Sequence, residues 1–335
     1  MVDLAFQAQE SAKMHALVIG ASGFIGSHIV DNLIERDYEV TAILRHTSNA
    51  RFVNPKAEIV RINTFKPEQI ADRLAKADYF VHVAGLVKAL RIRDFYRVNA
   101  EMVKIWLEAC EKYCTKLKRF VLVSSLAAAR PSEVPIDETV PSEPVTHYGK
   151  SKHLGEIYAK NFMEKIPITI VRPPAVYGPR DTEILRYAKF IKFGIAPIVG
   201  KPTIKVPVIF VSDLARAIIE LMECQEATGE IFFVKNDRTP TRLEFIKAIA
   251  DAMNKKPLFI RLPDPIVYIA AFLSETFAKI AGKATIFTLE KASELTMSWN
   301  VDDSKIRKTI DFKPMYNLEE GLKLTMDWYK KVGWL

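Results

Sequence analysis

From Ala16 onward the apolar positions follow two alternating rhythms. Short β-rich runs, ALVI at 16–19, YEVTAIL at 38–44 and AEIVRI at 57–62, surround the stretch FIGSHIVDNLIERD, whose apolar residues recur at helical spacing. Further strands are predicted at Tyr79 to Val83, Phe120 to Val123 and Ile168 to Val171, with helices near 94–113 and 148–165 between them. Strand and helix in alternation predict the α/β class, with a doubly wound parallel sheet. After Pro173 the rhythm is broken by Pro174, Pro179, Pro197, Pro202, Pro207, Pro257, Pro263 and Pro265, so a smaller C-terminal lobe is expected there. The run VIFV and the helix after Asp213 read as a return to the sheet. The expected boundaries are therefore 14–174 plus about 207–236 for the larger domain, and about 175–206 plus 237–335 for the lobe.

Composition changes this picture little. At 335 residues, with 49% hydrophobic and 26% charged residues, the chain can bury a real core, and it shows no repeat or low-complexity tract. The net charge of +8 comes from Lys and Arg spread along the chain without a dense block, so no nucleic-acid partner is expected. Three cysteines cannot all pair with one another. Cys110 and Cys114 sit four apart in a helical pattern without metal-ligand neighbours, so no metal site and reduced thiols in a cytoplasmic protein are expected. The first dozen residues, with Asp3, Gln7, Gln9 and Glu10, form no signal peptide and are expected to fray. The longest apolar stretch, IVYIAAFL at 266–273, is far short of the roughly 20 residues of a spanning helix, so no transmembrane segment is expected.

Gly20, Gly23 and Gly26 give G-x-x-G-x-x-G between a predicted strand and a predicted helix. Glycines there allow a tight turn, and the helix N-terminus offers unpaired amides and a positive dipole end to a pyrophosphate. Gly20, Ser22, Gly23, Phe24, Ile25 and Gly26 are thus candidate dinucleotide-binding residues. The second strand ends in Leu44, Arg45, His46, Thr47 and Ser48. With a cation and no acid at that place, Arg45 points to the 2′-phosphate of NADP; if it only covers the adenine, NAD is the cofactor.

Tyr148 and Lys152 form Y-x-x-x-K, which brings them to one helical face. A nearby ammonium favours the phenolate, so the pair can exchange a proton with a substrate oxygen. Ser124 and Ser125 end a strand some two dozen residues earlier, at the carboxyl edge where such sheets bind ligands. Ser125 is the candidate partner of Tyr148 in polarising a carbonyl for hydride attack, and Ser124 the second choice.

With these motifs the chain resembles an extended short-chain dehydrogenase/reductase, a superfamily that includes sugar-nucleotide epimerases and 3β-hydroxysteroid dehydrogenases, from Ala16 to the terminal LEEGLKLTMDWYKKVGWL. The resemblance implies a Rossmann-type sheet with a substrate lobe, and Ser125, Tyr148 and Lys152 as catalytic residues. It also implies that His82, Ala84 and Gly85 of H-V-A-G line the cofactor, that Asn99 in FYRVNAE supports the central helix, and that RPPAVYGP, with Pro174 and Val176, passes the nicotinamide carboxamide.

Departures from the family pattern narrow the substrate. Leu126 and Ala127 stand where dehydratases carry an Asp-Glu pair. Ala175 and Val206 stand where sugar-nucleotide enzymes place the asparagine and arginine that grip a diphosphate, leaving Lys205 as the one replacement in sight. Asn63 stands where relatives have an aspartate contacting adenine, and its carbonyl can still accept that bond. The segment LFIRLPDPIVYIAAFLSETFAKIAGKATIFTL supplies apolar side chains for a lobe over the site; a packed helix is the simpler account of it, a lipid-contacting surface the other. The expectation is a hydrophobic ketone or secondary alcohol, sterol-like or acyl-derived, in the 3β-hydroxysteroid dehydrogenase-like branch, with a homodimer left open. The alternatives are a nucleotide-sugar 4-epimerase with retained NAD and a non-catalytic dinucleotide sensor.

Overall fold

The structure, a computed structural model, describes residues 13–285 and 287–335; the expected fraying leader lies outside the described residues. The first half of the chain runs β1 (His15–Ile19), α1 (Phe24–Glu35), β2 (Glu39–Arg45), β3 (Glu58–Ile62), α2 (Ala71–Leu74), β4 (Tyr79–His82), α3 (Ile92–Tyr96), α4 (Met102–Tyr113), β5 (Arg119–Val123), β6 (Ser132–Ile136) and α5 (His147–Lys160). There follow β7 (Ile168–Arg172), β8 (Ala175–Tyr177), α6 (Glu183–Lys192), β9 (Ile195–Val199), β10 (Val208–Phe210), α7 (Val211–Glu223) and β11 (Ile231–Phe233). The last part is α8 (Arg242–Ala252), β12 (Leu258–Leu262), α9 (Asp264–Ile280), α10 (Leu289–Thr296), β13 (Trp299–Val301), α11 (Ser304–Ile310) and α12 (Leu318–Lys331).

Seven strands make the main sheet in the order β11-β7-β5-β4-β1-β2-β3, all pairs parallel. Because strand side chains alternate faces, Ala16 and Val18 of β1 enter one core and Leu17 and Ile19 the other. The first core is closed by Ile29 and Leu33 of α1 with Leu214 and Ile218 of α7. The second is closed by Met102, Trp106 and Leu107 of α4. This is the doubly wound, Rossmann-type sheet that the alternating rhythm predicts. Its order reverses between β1 and β4, and the crevice at such a switch point is where these sheets take ligands.

One expectation needs correction. VIFV does not return to the main sheet: β10 pairs with β8 in a separate two-stranded ribbon, and β11 is the strand that joins β7. The short apolar run carried no signal for its partner, which is set by the course of the chain after Pro173. A third core lies between α6, β9, α8 and α12, where Tyr177 and Phe210 meet Phe245 and Tyr329.

Helix α9 is the other departure. Only Val267 and Ala271 of it are buried, packed with Val199 and Ala292, while most of its large apolar side chains point outward. Among the described residues no helix is long and apolar enough to cross a membrane. Cys110, Cys114 and Cys224 are free thiols.

Candidate active site

The glycine turn is built by exclusion. Gly20 has φ +90°, and a Cβ there would lie 2.6 Å from the backbone nitrogen of Ala84, just past the end of the neighbouring strand β4. A Cβ at Gly26 would collide with the Gly20 carbonyl oxygen, so the start of α1 can close on β1 only without side chains. Gly23 is the N-cap of α1 and provides no side-chain cap, leaving the first-turn amides of Phe24, Ile25 and Gly26 without a side-chain acceptor. Ser22 is half-buried beside the turn, and Phe24 lies edge-on to His28. This cradle fits a dinucleotide: its amides and dipole end would hold the pyrophosphate.

At the far rim, Arg45 ends β2 and is exposed. Arg61, which the sequence reading passed over, donates to the carbonyl oxygens of Arg45, His46 and Ser48 at 3.1, 3.2 and 2.8 Å. It braces the loop and adds a second cation there. Asn63 uses its side-chain oxygen to accept from the Phe65 amide at 3.1 Å, which leaves one lone pair for adenine.

Tyr148 and Lys152 rise from α5, whose first turn is capped by Thr146 accepting from the Gly149 amide at 3.0 Å. Ser125, at the end of β5, accepts from the Ala127 amide at 3.2 Å, which leaves its hydroxyl proton free. Burial pushes the Tyr148 phenol up to about 12, and a hydrogen bond with Ser125 pulls the other way. Tyr148 therefore carries its proton at neutral pH in the free protein. Lys152 is buried and its ammonium donates to the Val123 carbonyl at 2.9 Å. Burial lowers it to about 8, with Glu156 opposing.

Asn99 joins these parts. It sits in a π turn over Arg97–Glu101, accepts from the Leu86 amide at 2.8 Å, and donates to the Leu86 carbonyl at 3.0 Å and the Ser151 hydroxyl at 2.9 Å. A Cβ on Gly85 would lie 3.2 Å from both the Asn99 side-chain oxygen and the Lys152 ammonium, so Gly85, Asn99 and Lys152 converge. Ala84 is half-buried against Gly20. Pro174 and Val176 are half-buried just beyond the end of β7. The His82 side chain departs from the expected lining role: strand alternation turns its ring into the second core beside Phe120, where burial drives it down to about 3.

A second constellation has no sequence motif. Glu156, one turn beyond Lys152, is fully buried and accepts from Arg172 at 2.9 and 2.7 Å and from the Ser124 hydroxyl at 2.5 Å. Burial alone would raise this carboxyl, but hydrogen bonds with His153 and Arg172 hold it at about 2. Ser124 is thereby turned into the network, which leaves Ser125 as the hydroxyl beside Tyr148. Phe95 lies edge-on to Tyr148 with ring centroids 6.2 Å apart. From the lobe, Glu290 of α10 accepts from the His147 amide at 2.9 Å. Among the described residues no cluster of three His, Cys, Asp or Glu side chains could hold a metal.

Residues 16–234 match the family described as NAD dependent epimerase/dehydratase. The chain is 32% identical over 323 residues to a ceramide reductase of Caulobacter vibrioides, covering 95% of each chain. It is 24% identical over 334 residues to the decarboxylating sterol-4-alpha-carboxylate 3-dehydrogenase of Mus musculus, covering 92% of this chain and 89% of that one. The fold superposes on UDP-glucose 4-epimerase of Thermotoga maritima, solved with UDP-glucose, with a TM-score of 0.78 at 23% identity over 95% of this chain and 99% of that one.

Proposed function

Because the chain belongs to the NAD dependent epimerase/dehydratase family of extended short-chain dehydrogenases/reductases, we propose that this oxidoreductase interconverts a hydrophobic ketone and its secondary alcohol, with NADP as cofactor. Residues 14–174 and about 207–236 would hold the dinucleotide, and the remainder would cover the substrate. When bound, the nicotinamide supplies the hydride that reaches the carbonyl carbon. Tyr148 donates its phenolic proton to the carbonyl oxygen, so hydride and proton together make the alcohol. Ser125 holds that oxygen in line with Tyr148. Lys152, set beside Gly85 and Asn99, would hold the ribose hydroxyls of a bound dinucleotide and supply positive potential near Tyr148 once the proton has left.

Ser125, which accepts from the Ala127 amide and keeps its hydroxyl proton free, placed beside the Tyr148 phenol is the observation that carries the chemistry. The apolar substrate is supported by Ala175 and Val206 at the diphosphate-gripping positions and by reductase and sterol dehydrogenase relatives. NADP is supported by Arg45 with Arg61 behind it. Purified enzyme with NADPH should be screened against ketosteroids, β-keto lipids and nucleotide sugars. Turnover is expected with the apolar ketones; conversion of a nucleotide sugar alone, without net cofactor oxidation, would reject the reading. Arg45→Asp should move preference from NADPH toward NADH by about tenfold or more, the scale of one lost charge-assisted contact. Unchanged NADPH affinity in that variant would remove NADP.

A further inference from the structure

Two exposed segments flank the candidate site. On α9, Ile266, Ile269, Phe272, Leu273, Phe277 and Ile280 face outward, with Phe272 and Phe277 56% and 68% exposed. A helix that turns its large apolar residues away from the core has its hydrophobic face unpartnered within the chain. From the loop after β4 into the start of α3, exposed Val87, Leu90 and Ile92 are interspersed with Lys88, Arg91 and Arg93.

The two segments approach each other where Ala284, four residues past α9, lines an open surface pocket of about 340 Å³ together with Leu86, Lys88, Ala89 and Leu90. Both also reach the site: Leu86 is pinned by Asn99, and α9 lies on α10, which carries the Glu290 that binds the backbone next to Tyr148.

Charge separates the candidate occupants. Residues 86–97 and 264–285 hold six cations, Lys88, Arg91, Arg93, Arg97, Lys279 and Lys283, against Asp94, Asp264 and Glu275. Asp94 pairs with Arg91 at 3.3 Å and Glu275 with Lys279 at 2.9 Å, so Lys88, Arg93, Arg97 and Lys283 stand against Asp264, a net of about three positive charges. A net positive rim around an apolar face repels a second copy of itself and complements an anionic bilayer, into which such a helix sinks its apolar side while its cations meet the headgroups.

We propose that α9 and the segment at 87–93 dock on an anionic lipid surface, so that the substrate passes from the bilayer toward Tyr148 without crossing water. This rests on the apolar-substrate reading for its purpose, but not for its test. The full chain is sedimented with vesicles of phosphatidylcholine alone and with about one third phosphatidylglycerol. Binding to the anionic vesicles is expected to exceed the other by about tenfold or more and to fall with salt. Phe272→Asp with Phe277→Asp should cut it by about tenfold or more, and Lys279→Glu with Lys283→Glu should erase the preference. Both variants should still reduce a short, water-soluble ketone at the wild-type rate, which reports an intact fold. A chain that stays in the supernatant, or apolar variants that bind as before, would overturn the proposal. So would a dimer, seen by sedimentation without vesicles, that Phe272→Asp splits. Vesicle binding without reduction of any ketone would sink the proposed function and leave docking standing; ketone turnover without vesicle binding would do the reverse.

Discussion

Tyr148 keeps its proton because its surroundings disfavour the phenolate. Its phenol is held at about 12 by burial against the opposing hydrogen bond from Ser125, so it carries a proton through the whole neutral range. Replacing Tyr148 with Phe removes that proton and little volume. Turnover should fall by about a hundredfold or more, with cofactor affinity, read by fluorescence titration, changed by no more than about twofold. Lys152 gives the complementary signature. Burial lowers it to about 8, so the free enzyme loses its ammonium as pH rises through that value. kcat/KM, which reports the free enzyme, should decline above about pH 8. A profile flat to pH 10 would remove the charge of Lys152 from the binding step. Neither pKa could be read from the motif: Y-x-x-x-K tells that the two share a helical face, but the burial that dominates both comes from β5, the π turn and the lobe.

Between elements, the strongest tie near the site is the buried pair joining α5 to β7. Arg172 and Glu156 are both nearly inaccessible and bonded through two oxygens, and Ser124 ties β5 to the same carboxylate. Glu156→Gln leaves the guanidinium buried without its countercharge, and a loss of about 3–5 kcal/mol in unfolding free energy is expected. The sign with pH follows from the depressed carboxyl. Glu156 is held at about 2 against an ordinary 4.5, so its contribution is complete above 4.5 and disappears as pH falls toward 2. Urea midpoints should therefore drop more steeply over that window in the wild type than in Glu156→Gln; parallel curves would mean the pair does not set acid stability. In the sequence, Arg172 is legible as a strand-end residue of a family segment, but Glu156 is one acid among many in a helix. Its partners stand 16 and 32 residues away in the chain, and only the sheet order brings them together.

At the scale of the molecule, the parallel sheet and its glycine cradle were readable because each strand and helix satisfies its own local period and the G-x-x-G-x-x-G turn permits few alternatives. The VIF run and α9 were not, since an apolar pattern states that a segment has an apolar face and not what that face meets: β10 finds β8, and α9 shows most of its face to the outside. The cradle couples local chemistry to global stability. A dinucleotide that binds only the folded chain adds about 2.7 kcal/mol at a hundred times its dissociation constant, which raises the thermal midpoint by on the order of 5 °C. Gly26→Ala forces a methyl group onto the Gly20 carbonyl, so the start of α1 must move off β1. That variant should lose most of the cofactor-induced rise in differential scanning fluorimetry, while Tyr148→Phe keeps it in full. The two variants thus part binding from chemistry within one measurement: a Gly26→Ala protein that still gains the full rise would mean the pyrophosphate is held elsewhere than at the N-terminus of α1.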